Sequence, residues 1–301
     1  MAFSNVTFAN FVGAWKFVGL ENFRKLPGIP GWGLMLRNTG IFLVGSIVPQ
    51  FLIGALLAVA LNEASRIRRL ARTLVLLPWL FPAVATASVF LWMAQSPDGV
   101  FDTLVKGIGL VHKAPYFLDQ PTDALVVIIL VNIWIGIPFN YLLIQSGLQA
   151  ISKDMHESAV VDGASWFQEL IRITAPLLKD TLITVLMIGI MGTMNVFAFV
   201  WILTQGGPAN GTMLPGLFAW QLAFSDFEYS QGAAMTVLIV AVLVVVAIAY
   251  VVLTRHRDGH VKAHRRTIPI PRGGAGSLQS RPSLVRADGR ALTNVGQDVG
   301  G

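Results

Sequence analysis

Glu157, Asp162 and Gly163 lie in a mostly polar stretch, ISKDMHESAVVDGASWFQELIRITAP (residues 151–176), held between two strongly apolar runs. A glycine there lets the chain reverse through φ > 0 at no steric cost. Ala159 and Gly163, four apart, leave a shallow surface for the close approach of another backbone. A second set of residues is uncharged. Asn132, Gly136 and Asn140 fall at i, i+4, i+8, beside Trp134 and Pro138, and Ile188, Gly192, Asn195 and Phe199 repeat the pattern further on. Amides bond hydroxyls and aromatic rings pack on the apolar face of a pyranose, so this chemistry would suit a sugar. The same residue types also serve helix–helix packing, where small residues allow close contact and Asn bonds across it.

Covalent chemistry finds no footing. The chain has no Cys, which removes thiolate chemistry and Cys-based metal sites. It has no G-x-x-x-x-G-K-[ST] phosphate loop, so ATP hydrolysis does not belong to it. No metal site or bound cofactor is expected. His256, His260 and His264 stand four apart, but in a basic tail they read as a segment on anionic headgroups rather than as metal ligands.

The elements that must position these residues are membrane helices. Of 301 residues 54% are hydrophobic and 13% charged, against roughly 25% charged in soluble domains. Five apolar runs approach or exceed the ~20 residues that cross a bilayer: 38–61, 73–93, 124–144, 181–203 and 233–253, none containing Asp, Glu, Lys or Arg. Pro78 and Pro82 interrupt the second. Pro138 in the third cannot donate to the Trp134 carbonyl, and the spacing predicts a kink or an unwound turn there. Such breaks mark substrate sites in many transporters.

Within 151–176 the sequence predicts two short helices. Asp154 with Glu157 and Ser165 with Gln168 have the form of capping boxes. Phe167, Leu170, Ile171 and Thr174 make a helical face, and Pro176 is expected to stop the second helix. Arg66, Arg68, Arg69 and Arg72 crowd the loop 62–72, whereas 204–232 has no Lys or Arg. By the positive-inside rule 62–72, 151–180 and the tail face the cytoplasm, and the loops 94–123 and 204–232 face outward. The net charge of +6 is thus a matter of topology and does not point to nucleic acid.

The segment around Glu157 resembles the EAA loop of ABC-transporter permeases. In that family Gly follows the Glu by six positions, Ile follows by ten more, and Pro closes the loop. Glu157, Gly163, Ile173 and Pro176 keep the spacing, with Ser158 in place of the first Ala and Ala175 in place of the Leu. FVGLENFRK (17–25), the lead 116–139, and Leu203, Thr204, Gly206, Gly207, Pro208, Ala223, Phe224, Tyr229, Gly232 and Ala233 in the outward loop resemble the carbohydrate branch.

The resemblance implies an all-α polytopic bundle at 34–254 with a coupling loop at 151–178; the odd number of spans places 1–33 on the extracytoplasmic side of the membrane, and the Arg-, Gly-, Ser- and Pro-rich composition of 255–301 predicts a disordered basic tail. The resemblance also implies a first transmembrane helix ahead of Phe17 that this chain starts too late to contain; a misassigned start and a permease lacking that helix both fit. It further implies a sugar permease of a bacterial inner membrane, multi-pass, with a cytoplasmic C-terminus. Its partners would be two ATPase subunits carrying the ATP and Mg, a second homologous permease, a solute-binding protein and membrane lipid. Glu157, Ser158, Ala159, Asp162, Gly163, Ile173 and Pro176 would couple to the ATPase. Asn132, Trp134, Gly136, Pro138, Asn140, Gly192, Asn195 and Phe199 would line the pathway. A proton-coupled secondary transporter usually needs Asp, Glu or His within the membrane, which these runs lack. A non-transporting scaffold would have little use for kinked polar spans.

Overall fold

The computed structural model describes residues 1–63, 65–95, 99–107 and 117–265, with side chains up to Val252 apart from those of 105, 153 and 160. A two-stranded antiparallel hairpin, β1 (Ser4–Asn5) with β2 (Lys16–Phe17), precedes a short helix α1 (Glu21–Lys25). The long helices follow: α2 (Trp32–Ala60), α6 (Pro121–Gln149), α9 (Ala175–Met194) and α12 (Tyr229–Arg265). Shorter ones lie between them: α3 (Arg66–Leu76), α4 (Ala83–Ala94), α5 (Val100–Gly107), α7 (Lys153–Val161), α8 (Trp166–Glu169), α10 (Ala198–Leu203) and α11 (Pro215–Trp220).

Four described helices are long and apolar enough to cross a membrane: 32–60, 121–149, 166–194 and 229–252. The second apolar run becomes a bent pair, 66–80 and 83–94, whose axes meet at 95°, and counts as a fifth span only if taken as one. Pro82 stands at the bend as the N-cap of α4; its ring fixes φ and it has no N–H to continue the preceding helix.

Four expectations are corrected. The fourth run is not one helix: α9 ends at Met194, Asn195 caps it, and α10 restarts at Ala198. Pro176 stops nothing. It occupies the first turn of α9, where its missing N–H costs little, and a π-helical turn at Leu170–Thr174 carries α8 into α9. Pro138 leaves α6 unbroken. Asn140 Nδ2 donates to the Gly136 carbonyl at 2.8 Å, adding a side-chain bond to the turn in which the proline ring removes a backbone one. Helix α12 also runs beyond Thr254, through Arg255 to Arg265, so the disorder expected from Arg255 does not begin there; the tail from 266 and the side chains of the three histidines lie outside the described residues.

Glycine sets the central packing. Helices α2 and α6 run alongside each other in the same direction. A Cβ on Gly45 would meet Ile129 at 3.1 Å, one on Gly136 would overlap the Gln50 amide, and one on Gly54 would come 2.6 Å from Asn140 Cβ and 3.0 Å from the Tyr141 backbone N. Close backbone approach of this kind is how helices associate where lipid offers no hydrophobic drive. Two apolar clusters fill the bundle: one around Phe42, Ile128, Val131, Val200 and Leu217, the other around Ala58, Tyr141, Ile144, Leu148 and Val185. The hairpin is tied to the start of α12 by Ser230, whose Oγ accepts from Val6 N (2.6 Å) and donates to the Ser4 carbonyl (2.7 Å).

Candidate functional site

The polar element between α6 and α9 is a helix–turn–helix. Helix α7 ends in a Schellman arrangement: Gly163 takes φ +74°, Ala164 N donates to the Ala159 carbonyl at 3.0 Å, and Asp162 N donates to Ser158. This is the left-handed cap that glycine adopts without a Cβ penalty. Ser165 and Gln168 form the expected capping box at the start of α8, with Gln168 Oε1 accepting from Ser165 N (3.0 Å) and Ser165 Oγ accepting from Gln168 N (3.4 Å). The box expected at Asp154 is absent: Asp154 lies inside the first turn of α7 and its carbonyl accepts from Ser158 Oγ (2.7 Å).

Of the predicted coupling residues, Glu157, Ser158, Asp162, Gly163 and Pro176 are exposed and Ile173 is half-buried. Ala159 is buried within the chain and so offers no surface to a partner; Gly163 alone does, with nothing within 4 Å of an added Cβ. The face expected at Phe167, Leu170, Ile171 and Thr174 turns inward only at Thr174. Phe167 and Ile171 stay exposed, as do Met155, Val161 and Trp166. The element thus presents large apolar side chains among carboxylates. Sequence reasoning missed what holds it together: the His156 imidazole Nδ1 bonds the Glu169 carboxylate, tying α7 to α8. Behind this pair is a cavity of about 310 Å³ lined by Asn62, Glu63, Leu148 and Trp166 among others.

The pathway candidates separate. Asn132, Gly136, Pro138 and Asn140 share the predicted stretch of α6, but Asn132, Pro138 and Asn140 are buried and Gly136 faces Gln50 of α2. At Gly136 and Asn140 the stripe packs on Gln50 and Gly54 of α2. Trp134 makes an edge contact with Phe90 at 5.3 Å. Asn132 Nδ2 and Ser46 Oγ are buried without hydrogen-bond partners. On the other stripe Gly192 and Asn195 are exposed, whereas the break at 195–197 turns Phe199 into the core. Asn195 Nδ2 donates to the Met191 carbonyl (2.9 Å), capping α9. It also lines a cavity of about 520 Å³ with Phe197, Trp220, Phe224 and Tyr229. An amide beside aromatic rings is therefore present, built from the helix break and the loop 204–232 rather than from one helical stripe.

That loop is ordered by threonine. Thr212 is fully buried; its Oγ1 donates to the Gly207 carbonyl (2.7 Å) and pairs with Thr204 Oγ1 (2.7 Å). Asn38 Nδ2 reaches across from α2 to the Asn210 carbonyl (3.0 Å). A Cβ on Gly211 would strike Pro121 at 2.4 Å. The loop is thus packed on the starts of α2 and α6.

The sequence profile of binding-protein-dependent transport system inner membrane components matches residues 50–258. The chain is a permease of that family. The trehalose/maltose transport system permease protein MalF of Thermococcus litoralis is 30% identical over 82% of this permease and 83% of its own length. The sulfoquinovosyl glycerol transport system permease protein SmoG of Agrobacterium fabrum is 26% identical over 81% of the permease and 78% of the relative. A bacterial alginate ABC transporter, solved in complex with an alginate pentasaccharide-bound periplasmic protein, superposes with a TM-score of 0.71 at 25% identity, covering 79% of the permease and 83% of that chain. The permease is accordingly an inner-membrane component and a transport subunit.

Proposed function

We propose that this permease forms half of the pathway of a carbohydrate importer powered by separate ATPase subunits. The observation that carries the proposal is the element 153–176. A helix closed by a left-handed Gly163 and a second helix capped by Ser165 present Glu157 and Asp162 beside exposed Val161, Trp166 and Phe167. Large apolar groups rimmed by charge mark a protein-binding surface. Glu157 accepts from a cation of the ATPase, and the apolar side chains fill its groove. Ser158, Asp162, Gly163, Ile173 and Pro176 frame the contact, and two ATPase subunits, a second related permease and a solute-binding protein complete the assembly. The element lies on the cytoplasmic side, together with the arginine-rich end of α3 and the C-terminal tail.

The carbohydrate reading rests on the named relatives and on Asn195 among Phe197, Trp220, Phe224 and Tyr229. Gly192 and Asn195 are retained as pathway residues. Among the described pathway candidates none carries a charge, which suits a neutral sugar. Reconstituted with its ATPase, partner permease and binding protein in proteoliposomes, the permease is expected to take up labelled neutral di- or oligosaccharide only with ATP and binding protein present. Uptake that follows a proton gradient and ignores ATP would overturn the proposal.

A further inference from the structure

Helix α3 is the one described helix of its length with no buried residue, and its two sides differ. On one side Arg72 donates to the Leu61 and Asn62 carbonyls at the end of α2 (3.0, 2.5 and 3.0 Å). Arg68 pairs with Glu63, and Val75 and Leu76 pack on the apolar cluster around Ala58 and Tyr141. That side faces the protein. On the other, Ile67, Leu70 and Leu74, at i, i+3 and i+7, each expose more than half of their surface. The stripe continues through Leu77, Trp79 and Leu80 to Val84 and Val89 of α4, all exposed. Arg66 and Arg69, both exposed, border it.

We propose that α3 is a docking surface for anionic phospholipid, its aliphatic stripe seated at the edge of the hydrocarbon and Arg66 and Arg69 bound to headgroup phosphates. Three observations favour lipid over a protein partner. The stripe runs without interruption into the exposed apolar face of α4, and the bent pair is apolar enough to count as a span. Trp79, exposed where the two helices meet and packed on Phe139 of α6, is a side chain enriched near membrane interfaces. The Arg72 guanidinium fixes α3 at the carbonyl end of α2, the margin of the bundle. The 95° bend between the pair lets α4 enter the bilayer while the arginines of α3 stay at its surface; a basic amphipathic helix at an anionic leaflet is the arrangement such a sequence favours. Two arginines are held by the chain itself, which leaves Arg66 and Arg69 for phosphate.

The absence of Cys makes the test direct. The full permease complex carrying Leu70→Cys, and separately Ile67→Cys, is spin-labelled and placed in nanodiscs of equal parts phosphatidylcholine and phosphatidylglycerol. Both labels should be open to oxygen and shielded from a water-soluble nickel chelate. In the unlabelled complex, phosphatidylglycerol should be enriched over phosphatidylcholine in the lipid that co-purifies. R66Q and R69Q should each lower that enrichment about five-fold, and R68Q should leave it unchanged. Labels open to the nickel chelate, labels shielded only when the ATPase is present, or an enrichment indifferent to both R66Q and R69Q would each overturn the proposal. None of these outcomes bears on whether the permease carries sugar, which uptake reports separately.

Discussion

His156 Nδ1 meets a carboxylate oxygen of Glu169 across the Gly163 turn, which ties the two helices of the element 153–176 to each other. The pair is partly shielded, with Glu169 the less exposed of the two. A hinge at a left-handed glycine would otherwise let α8 swing relative to α7 and dissipate any push from a partner.

Removing that tie is expected to loosen the element without unfolding the bundle. Glu169→Ala and His156→Ala should each cost about 1 kcal/mol locally, the scale of one side-chain hydrogen bond. Amide exchange over 153–165 should then quicken about five-fold. Transport per ATP hydrolysed should fall while the protein still inserts.

The α2–α6 seam predicts a contrast between glycines. Gly54→Ala places a methyl 2.6 Å from Asn140 Cβ and against the Tyr141 backbone, where neither helix can yield; overpacking of this kind costs about 1–3 kcal/mol. Gly192→Ala meets open space and should be tolerated. Thermal unfolding in detergent distinguishes them, with a clear fall in Tm for the first variant alone.

Thr212→Val keeps the shape of a fully buried side chain but removes the donor to the Gly207 carbonyl and the partner of Thr204 Oγ1. Leaving buried polar groups unpaired costs about 1–3 kcal/mol. Limited proteolysis should open the loop 204–214 in this variant first.

Asn140→Leu and Asn195→Leu should fail differently. Asn140 is buried in the seam and bonds the Gly136 carbonyl, so its loss lowers stability. Asn195 is exposed beside Phe197, Trp220 and Tyr229, so its loss should change the sugar concentration needed for half-maximal uptake and leave Tm nearly unmoved.

The sequence made the membrane class legible because charge depletion and run length report directly on lipid. The Gly163 turn and the Ser165 cap were legible because each depends on residues a few positions apart. What was not legible depends on tertiary contact. The period of Asn132, Gly136 and Asn140 marks one face of α6 without saying what covers it; Gln50 of α2 meets Gly136 and Gly54 of α2 meets Asn140, contacts far apart in the chain. Phe199 keeps helical spacing with Asn195 only if the helix continues, and it breaks at Asn195. Pro138 looked like a break because the bond it removes is local, whereas Asn140 supplies one from outside the backbone ladder. His156 and Glu169 are thirteen positions apart, a distance that becomes a contact only once the turn between them is known. Thr212 carried no signal beyond its place in a glycine-rich loop.

The central claim is that the element 153–176 is where the ATPase docks, and its most direct test is co-purification of the ATPase with the permease, read beside sugar uptake in vesicles. Gly163→Asp puts a charge and a Cβ at φ +74°, a conformation L-residues rarely adopt, on the surface a partner must approach. Glu157→Ala removes the acceptor, and losing one member of a charge pair buried at an interface costs about 2–5 kcal/mol. Both variants should insert normally, and each should release the ATPase or uncouple its hydrolysis from uptake. If both retain the ATPase and transport sugar at the rate of the unaltered permease, the docking surface lies elsewhere and the account is wrong.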